Sequence, residues 1–114
     1  MAKPILLMLN PWFSNGDGPF YCPACGTIAG FLGYNPDIRE HLEIIFVEFK
    51  RPRPKIIEYI GEENQGSPVL VLNDSDKIPD GAKKSFSTGK MFIDDPITIC
   101  NYLGKRFKGV RPHP

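Results

Sequence analysis

The stretch FYCPACGTIAGFLGY, residues 20–34, sets Cys22 and Cys25 three positions apart where an aromatic pair meets a run with helical spacing. Cys25, Ile28, Ala29 and Leu32 recur at steps of three and four, the apolar stripe of a helix, and Gly33 is placed to close it. Pro23 suits the first helical position, because its ring presets the backbone and the amide hydrogen it lacks would have had no intrahelical partner. Cys22 is then the N-cap, the residue whose side chain meets the unpaired amides of the first turn.

That placement has chemical consequences. Side chains three apart on a helix sit about 5–6 Å apart at Cβ, and a disulfide needs about 3.8 Å, a gap that slight tightening at a half-helical cap closes. The pair can therefore cycle between dithiol and disulfide. Free amides and the positive end of the helix dipole favour a thiolate at Cys22, which makes it the candidate nucleophile. Cys25, one turn in on the apolar stripe, is the candidate resolving thiol. Two other readings stay open: an inert pair of half-buried thiols, and half of a metal site. A closed zinc site needs four ligands, and the remaining candidates, Cys100, His41 and His113, show no recognisable spacing, so no metal ligand is assigned.

Outward from the dithiol, Ile5 to Leu9 is a continuous apolar run that reads as a strand covered on both faces. Asn10 to Pro19 is rich in turn residues and reads as a long loop. Leu42 to Phe49, β-branched and aromatic, predicts a second strand, and KRPRP ends it. Lys55 to Ile60 predicts a short helix before Gly61, and Val69 to Leu72 a third strand opened by Ser67-Pro68. Asn73 to Lys90 reads as an exposed loop and Met91 to Ile93 as a short strand. Asp94-Asp95-Pro96 then starts a helix whose stripe is Ile99, Cys100, Leu103 and Phe107, with Cys100 as a small core residue. The expected fold is α/β, in the order β-α-β-α-β-β-α. It is a mixed four-stranded sheet flanked by helices, with its first three strands parallel and the fourth antiparallel.

The 114 residues fit one domain, read as spanning 1–114, and 41% hydrophobic content supplies an ordinary core. Fourteen basic against 13 acidic residues leave a net charge of +1, which provides no global field for nucleic acid or an anionic membrane. No run approaches the ~18 apolar residues of a membrane span, and the short apolar start is read as a strand rather than a leader. Three cysteines do not make a stapled secreted scaffold, so the expected compartment is the reducing cytoplasm. Lys50 to Lys55, KRPRPK, reads first as a solvated turn, though its arginines suit a carboxylate or phosphate. Trp12, Phe13, Phe20 and Tyr21 form either an apolar rim at the dithiol or a cover for the sheet.

Tyr-Cys-Pro-Ala-Cys at 21–25, Ser67-Pro68 and Asp94-Asp95 together resemble the thioredoxin-like superfamily, and its glutaredoxin and glutathione-transferase N-terminal-domain branch most closely. More narrowly, FYCPAC, PRP, GEENQGSPVLVL and the ending PHP resemble an uncharacterised family of unknown function. The broader resemblance implies a thioredoxin-like fold and a thiol-disulfide oxidoreductase, with Cys22 as nucleophile and Cys25 as resolving thiol. It implies that Pro68 is a cis-proline facing them and that Val69 offers its backbone to a ligand. Asp94 and Asp95 would then hold the γ-glutamyl end of glutathione, beside Tyr21, Pro23 and Ser67. No bound cofactor is required on this reading; glutathione or a protein disulfide is the implied partner. The alternatives are a module of the same fold that binds glutathione, a peptide or a protein without turnover, and a metal or iron-sulfur carrier. One departure stands out: GDGPFY, just before Cys22, contains no basic residue where glutaredoxins usually have one.

Overall fold

The structure is a computed structural model and describes residues 2–114. Its first strand, β1 (Ile5–Leu9), alternates its side chains between the two faces of a sheet, and Leu6, Leu7 and Met8 are all buried because both faces are covered. Next come β2 (Trp12–Ser14), β3 (Asp17–Phe20) and α1 (Pro23–Tyr34). A 3-10 turn at Pro36–His41 leads into β4 (Glu43–Val47) and α2 (Pro54–Ile60). The chain closes with β5 (Val69–Val71), β6 (Lys83–Lys84), β7 (Met91–Ile93) and α3 (Pro96–Arg106).

Helices cover both faces of the sheet. Ile28 and Leu32 of α1 and Ile99 and Leu103 of α3 pack with Leu6, Met8, Leu70 and Ile93 on one face. Ile56 and Ile60 of α2 pack with Leu7, Val47, Val69, Val71 and Phe92 on the other. The period of two is what sends Leu6 and Leu7, or Leu70 and Val71, to opposite cores. Truncating a fully buried leucine such as Leu7 to alanine would cost about 2–5 kcal/mol.

The α/β class and the helix-flanked mixed sheet agree with the sequence reading, and the architecture is compatible with a thioredoxin-like fold. Strand number and direction differ from it. The sheet has five strands in the order β4-β1-β5-β7-β6, and a separate two-stranded ribbon pairs β2 with β3. β4 runs parallel to β1, but β5 runs antiparallel to it, with Leu7 opposite Val69. The chain passes from β4 through α2 and the segment that follows it, and β5 begins at the end of the sheet where β4 finishes.

The segment read as a loop, Asn10 to Pro19, is the β2–β3 hairpin. Ser14 pairs with Asp17 around Asn15 and Gly16, both at positive φ (52° and 73°), the conformation of a tight two-residue hairpin turn. The Asn-Gly dipeptide was the available signal. Asn73 to Lys90 is not wholly exposed either. Ser85 is buried and donates to the Ile60 carbonyl at 2.8 Å, while Asp76 is buried against Arg106 at 2.8 Å. Among the described residues, no helix is long and apolar enough to cross a membrane.

Candidate functional site

The antiparallel register of β5 assembles the site. Because Val69 lies opposite Leu7, Ser67-Pro68 arrives at the C-terminal end of β1, where the chain also enters α1 through Cys22. Ser67 Oγ donates to the Leu7 carbonyl at 3.0 Å, which ties the segment down. The Ser67–Pro68 peptide bond is cis, at the position where the resemblance places a cis-proline. Val69, next in line, is buried in the sheet.

Cys22 occupies the N-cap of α1 with extended backbone (φ −73°, ψ 116°), and its Sγ accepts the Cys25 amide at 3.1 Å. The sulfur thus takes up one of the amides that the helix start leaves unpaired. The Cys22 thiol lies 3.9 Å from the Ser67 carbonyl, and Cys25 Sγ lies 3.7 Å from Ser67 Oγ. Both thiols are free. They are also nearly equally enclosed, with Cys22 8% and Cys25 5% exposed, so the first thiol is more covered than a helix-mouth position suggests. Burial pushes the Cys25 thiol up to about 11, and the Cys22 side chain adds to the rise. Hydrogen bonds from the Leu9 backbone and Ser67 oppose it.

Tyr21 is exposed at the lip of the site, its ring against Gly26, where an added Cβ would come within 3.1 Å of a ring carbon. Pro23 is the first residue of α1. Trp12, on the hairpin, stacks on Phe49 with ring centroids 4.3 Å apart and planes 6° apart, while Phe13 and Tyr21 stay open to solvent.

Asp94 and Asp95 have partners of their own. Asp94 pairs with Lys83 Nζ at 3.0 Å. Asp95 caps α3, accepting the Thr98 amide at 2.9 Å and the Thr98 hydroxyl at 2.8 Å, and these bonds hold its carboxyl below the usual range. Cys100 is fully buried on α3, and burial, helped by the charge of Asp95, pushes its thiol up to about 11. No group of three or more His, Cys, Asp or Glu side chains gathers in a metal-binding arrangement among the described residues. Two concavities lie elsewhere. A groove of about 550 Å³ is lined by Asp76, Lys77, Tyr102, Lys105 and Arg106, and one of about 490 Å³ separates α1 from the C-terminal segment.

Sequence reasoning missed Arg53. Read as part of a solvated turn, it is only 5% exposed. Its Nε and Nη2 donate to the Phe49 carbonyl at 3.0 and 2.6 Å, and its Nη1 donates to the Gln65 carbonyl at 2.6 Å. Its backbone amide donates to Gln65 Oε1 at 2.9 Å. The turn is folded back onto the segment that leads to Ser67, a tertiary contact that no local spacing encodes.

The family model described as "Protein of unknown function (DUF3088)" matches residues 3–111, a span that includes the dithiol, Arg53, Ser67-Pro68 and the start of α3. The chain belongs to this family. No curated protein and no solved structure matches it. The family assignment agrees with the narrower of the two resemblances carried by FYCPAC and GEENQGSPVLVL.

Proposed function

We propose that this DUF3088 protein is a glutaredoxin-like thiol-disulfide oxidoreductase acting through Cys22 and Cys25. The observation that carries the reading is the hydrogen bond from the Cys25 amide to Cys22 Sγ at the start of α1, with Ser67 against the same two sulfurs. A sulfur that accepts a helix-terminal amide is stabilised as an anion, and the anion is the nucleophile.

In the first step the Cys22 thiolate attacks one sulfur of a disulfide RSSR. A new bond joins Cys22 to that sulfur, the original S–S bond breaks, and RS⁻ leaves with the electron pair and takes a proton from solvent. The mixed disulfide then has two exits. A glutathione thiolate can attack the RS sulfur or Cys22, or the Cys25 thiolate can attack Cys22 and expel RS⁻, leaving a Cys22–Cys25 disulfide that two glutathiones reduce. Burial and the Cys22 side chain hold the Cys25 thiol up to about 11 in the free protein, so its thiolate is scarce at neutral pH and the intramolecular exit is slowed on that account. Asp95, which keeps its negative charge at neutral pH, is the candidate partner for the glutathione amine.

The test is glutathione-dependent reduction of a small mixed disulfide by the wild type and by Cys22→Ser. The expected result is loss of the protein-dependent rate in the variant, and equal rates would sink the reading. A second reading, binding without turnover, draws on the near-complete enclosure of both sulfurs. It predicts that glutathione or a peptide raises the melting temperature of a Cys22→Ser/Cys25→Ser variant as much as that of the wild type.

A further inference from the structure

We propose that Arg53 is the basic group of this site, a buried cation brought from the turn after β4 to balance negative charge on the dithiol. The inference rests on the thiol-disulfide reading and deepens it.

The guanidinium is enclosed yet has no carboxylate. The ion pairs among the described residues join Lys55 to Glu58, Lys83 to Asp94 and Arg106 to Asp76, and Arg53 is in none of them. Arg106 provides the internal comparison, since its enclosed partner Asp76 compensates it directly. Taking a guanidinium out of water without an anion is unfavourable. Carbonyl oxygens of Phe49 and Gln65 satisfy its donors but do not cancel its charge. The Phe49 ring lies 5.6 Å below the guanidinium carbon, and Trp12 backs that ring.

The charges around Arg53 accord with its tie, through Gln65, to the segment that touches both sulfurs. Burial and the neighbouring Arg51 both disfavour its protonated form, whereas negative charge on Cys22 and on Cys25 favours it. These two thiols are where an anion forms in the reaction. The same side chain clamps Phe49 at the end of β4 to Gln65, two residues before Ser67, so its position is fixed relative to the segment that touches both sulfurs. Arg53 touches neither reacting atoms nor substrate; it acts through the thiols and is a positioning residue.

The test compares alkylation of Cys22 by iodoacetate and iodoacetamide in a Cys25→Ser/Cys100→Ser background. The reagents are nearly equal in size and differ in charge, so the ratio of their rates reads local potential rather than access. Arg53→Gln is expected to lower that ratio about fivefold, Arg53→Lys to keep it within about twofold, and Arg51→Gln, at an exposed position, to keep it within about twofold. An unchanged ratio in Arg53→Gln overturns the proposal, and so does a fall in Arg53→Lys as large as that in Arg53→Gln, which would leave only a loop clamp. Should Arg53→Gln fail to melt cooperatively, the ratio in the folded parent is set against that of the unfolded peptide of residues 18–34. A ratio at or below the peptide's overturns the proposal. Alkylation needs no turnover, so a normal Arg53 effect with no glutathione-dependent activity would defeat the redox reading alone, while a Cys22 inert to both reagents would defeat both.

Discussion

Ser67 Oγ sits 3.7 Å from Cys25 Sγ while donating its hydrogen to the Leu7 carbonyl at 3.0 Å, so one hydroxyl joins the buried thiol to the central strand. Removing it acts on both links. With Cys25 neutral that hydrogen goes to the Leu7 carbonyl, and when Cys25 ionises it can turn to the sulfur, so Ser67→Ala removes a bond that opposes the rise of the Cys25 thiol and leaves a strand carbonyl short of a donor. We expect a loss of roughly 1 kcal/mol in stability by denaturant titration. Closure of a preformed Cys22 mixed disulfide to the Cys22–Cys25 disulfide should slow about three- to tenfold in rapid-quench mass spectrometry. Unchanged closure would show that Ser67 serves the backbone alone.

The pH dependence of that closure follows from burial of Cys25. The free-enzyme thiol is held up to about 11 from an ordinary 9.0, by burial first and by Cys22 second. Capping Cys22 in a mixed disulfide removes the second cause, so the midpoint for closure should fall below 11 while burial still holds it up. Below that midpoint the thiolate fraction, and with it the rate, rises about tenfold per pH unit. Stopped-flow closure between pH 6 and 9 checks this, and a plateau near neutrality would contradict it. In the same assay, Cys25→Ser should retain glutathione-linked turnover within about threefold and accumulate the mixed disulfide.

Asp95 tests the glutathione assignment without disturbing the helix it caps. Asparagine caps about as well as aspartate, so Asp95→Asn should preserve the bond from the Thr98 amide and shift the melting temperature by about 1 °C or less. If the carboxylate binds an amine, losing its charge should raise the KM for glutathione about tenfold with little change in kcat. An unaltered KM would reduce Asp95 to a cap.

Cys100 predicts the alkaline limb of the stability curve. Its thiol is raised from 9.0 to about 11 by burial and by the charge of Asp95, so the folded state holds the neutral form more firmly than the unfolded chain does. That contribution is fully present below pH 9 and is lost as pH rises through 11, a change of roughly 2–3 kcal/mol. Cys100→Ala should therefore be less stable at pH 7, by roughly 1–2 kcal/mol for the cavity, yet decline less steeply between pH 9 and 11. Cys25, raised in the same direction, keeps the slope from vanishing. Urea midpoints at four pH values across this range decide the matter.

Local chemistry made much of this protein readable from its sequence. Proline after Cys22 and proline after Asp95 marked two helix starts, and both residues are the N-caps of α1 and α3. Continuous apolar runs marked β1, β5 and β7, and the dithiol stood out because its spacing and its place at a helix start are both local. The β2–β3 hairpin was legible in principle from Asn15-Gly16, but the many polar turn residues around it masked the pairing.

What tertiary structure alone decided was direction and convergence. Nothing in Val69 to Leu72 states that β5 runs against β1, and that direction is what carries Ser67-Pro68 to the dithiol instead of to the opposite end of the sheet. Nor does KRPRPK state that Arg53 turns inward while Arg51 stays in solvent. Periodicity records which face of an element is apolar, whereas the partners of a buried charge lie far along the chain, and only packing brings them together.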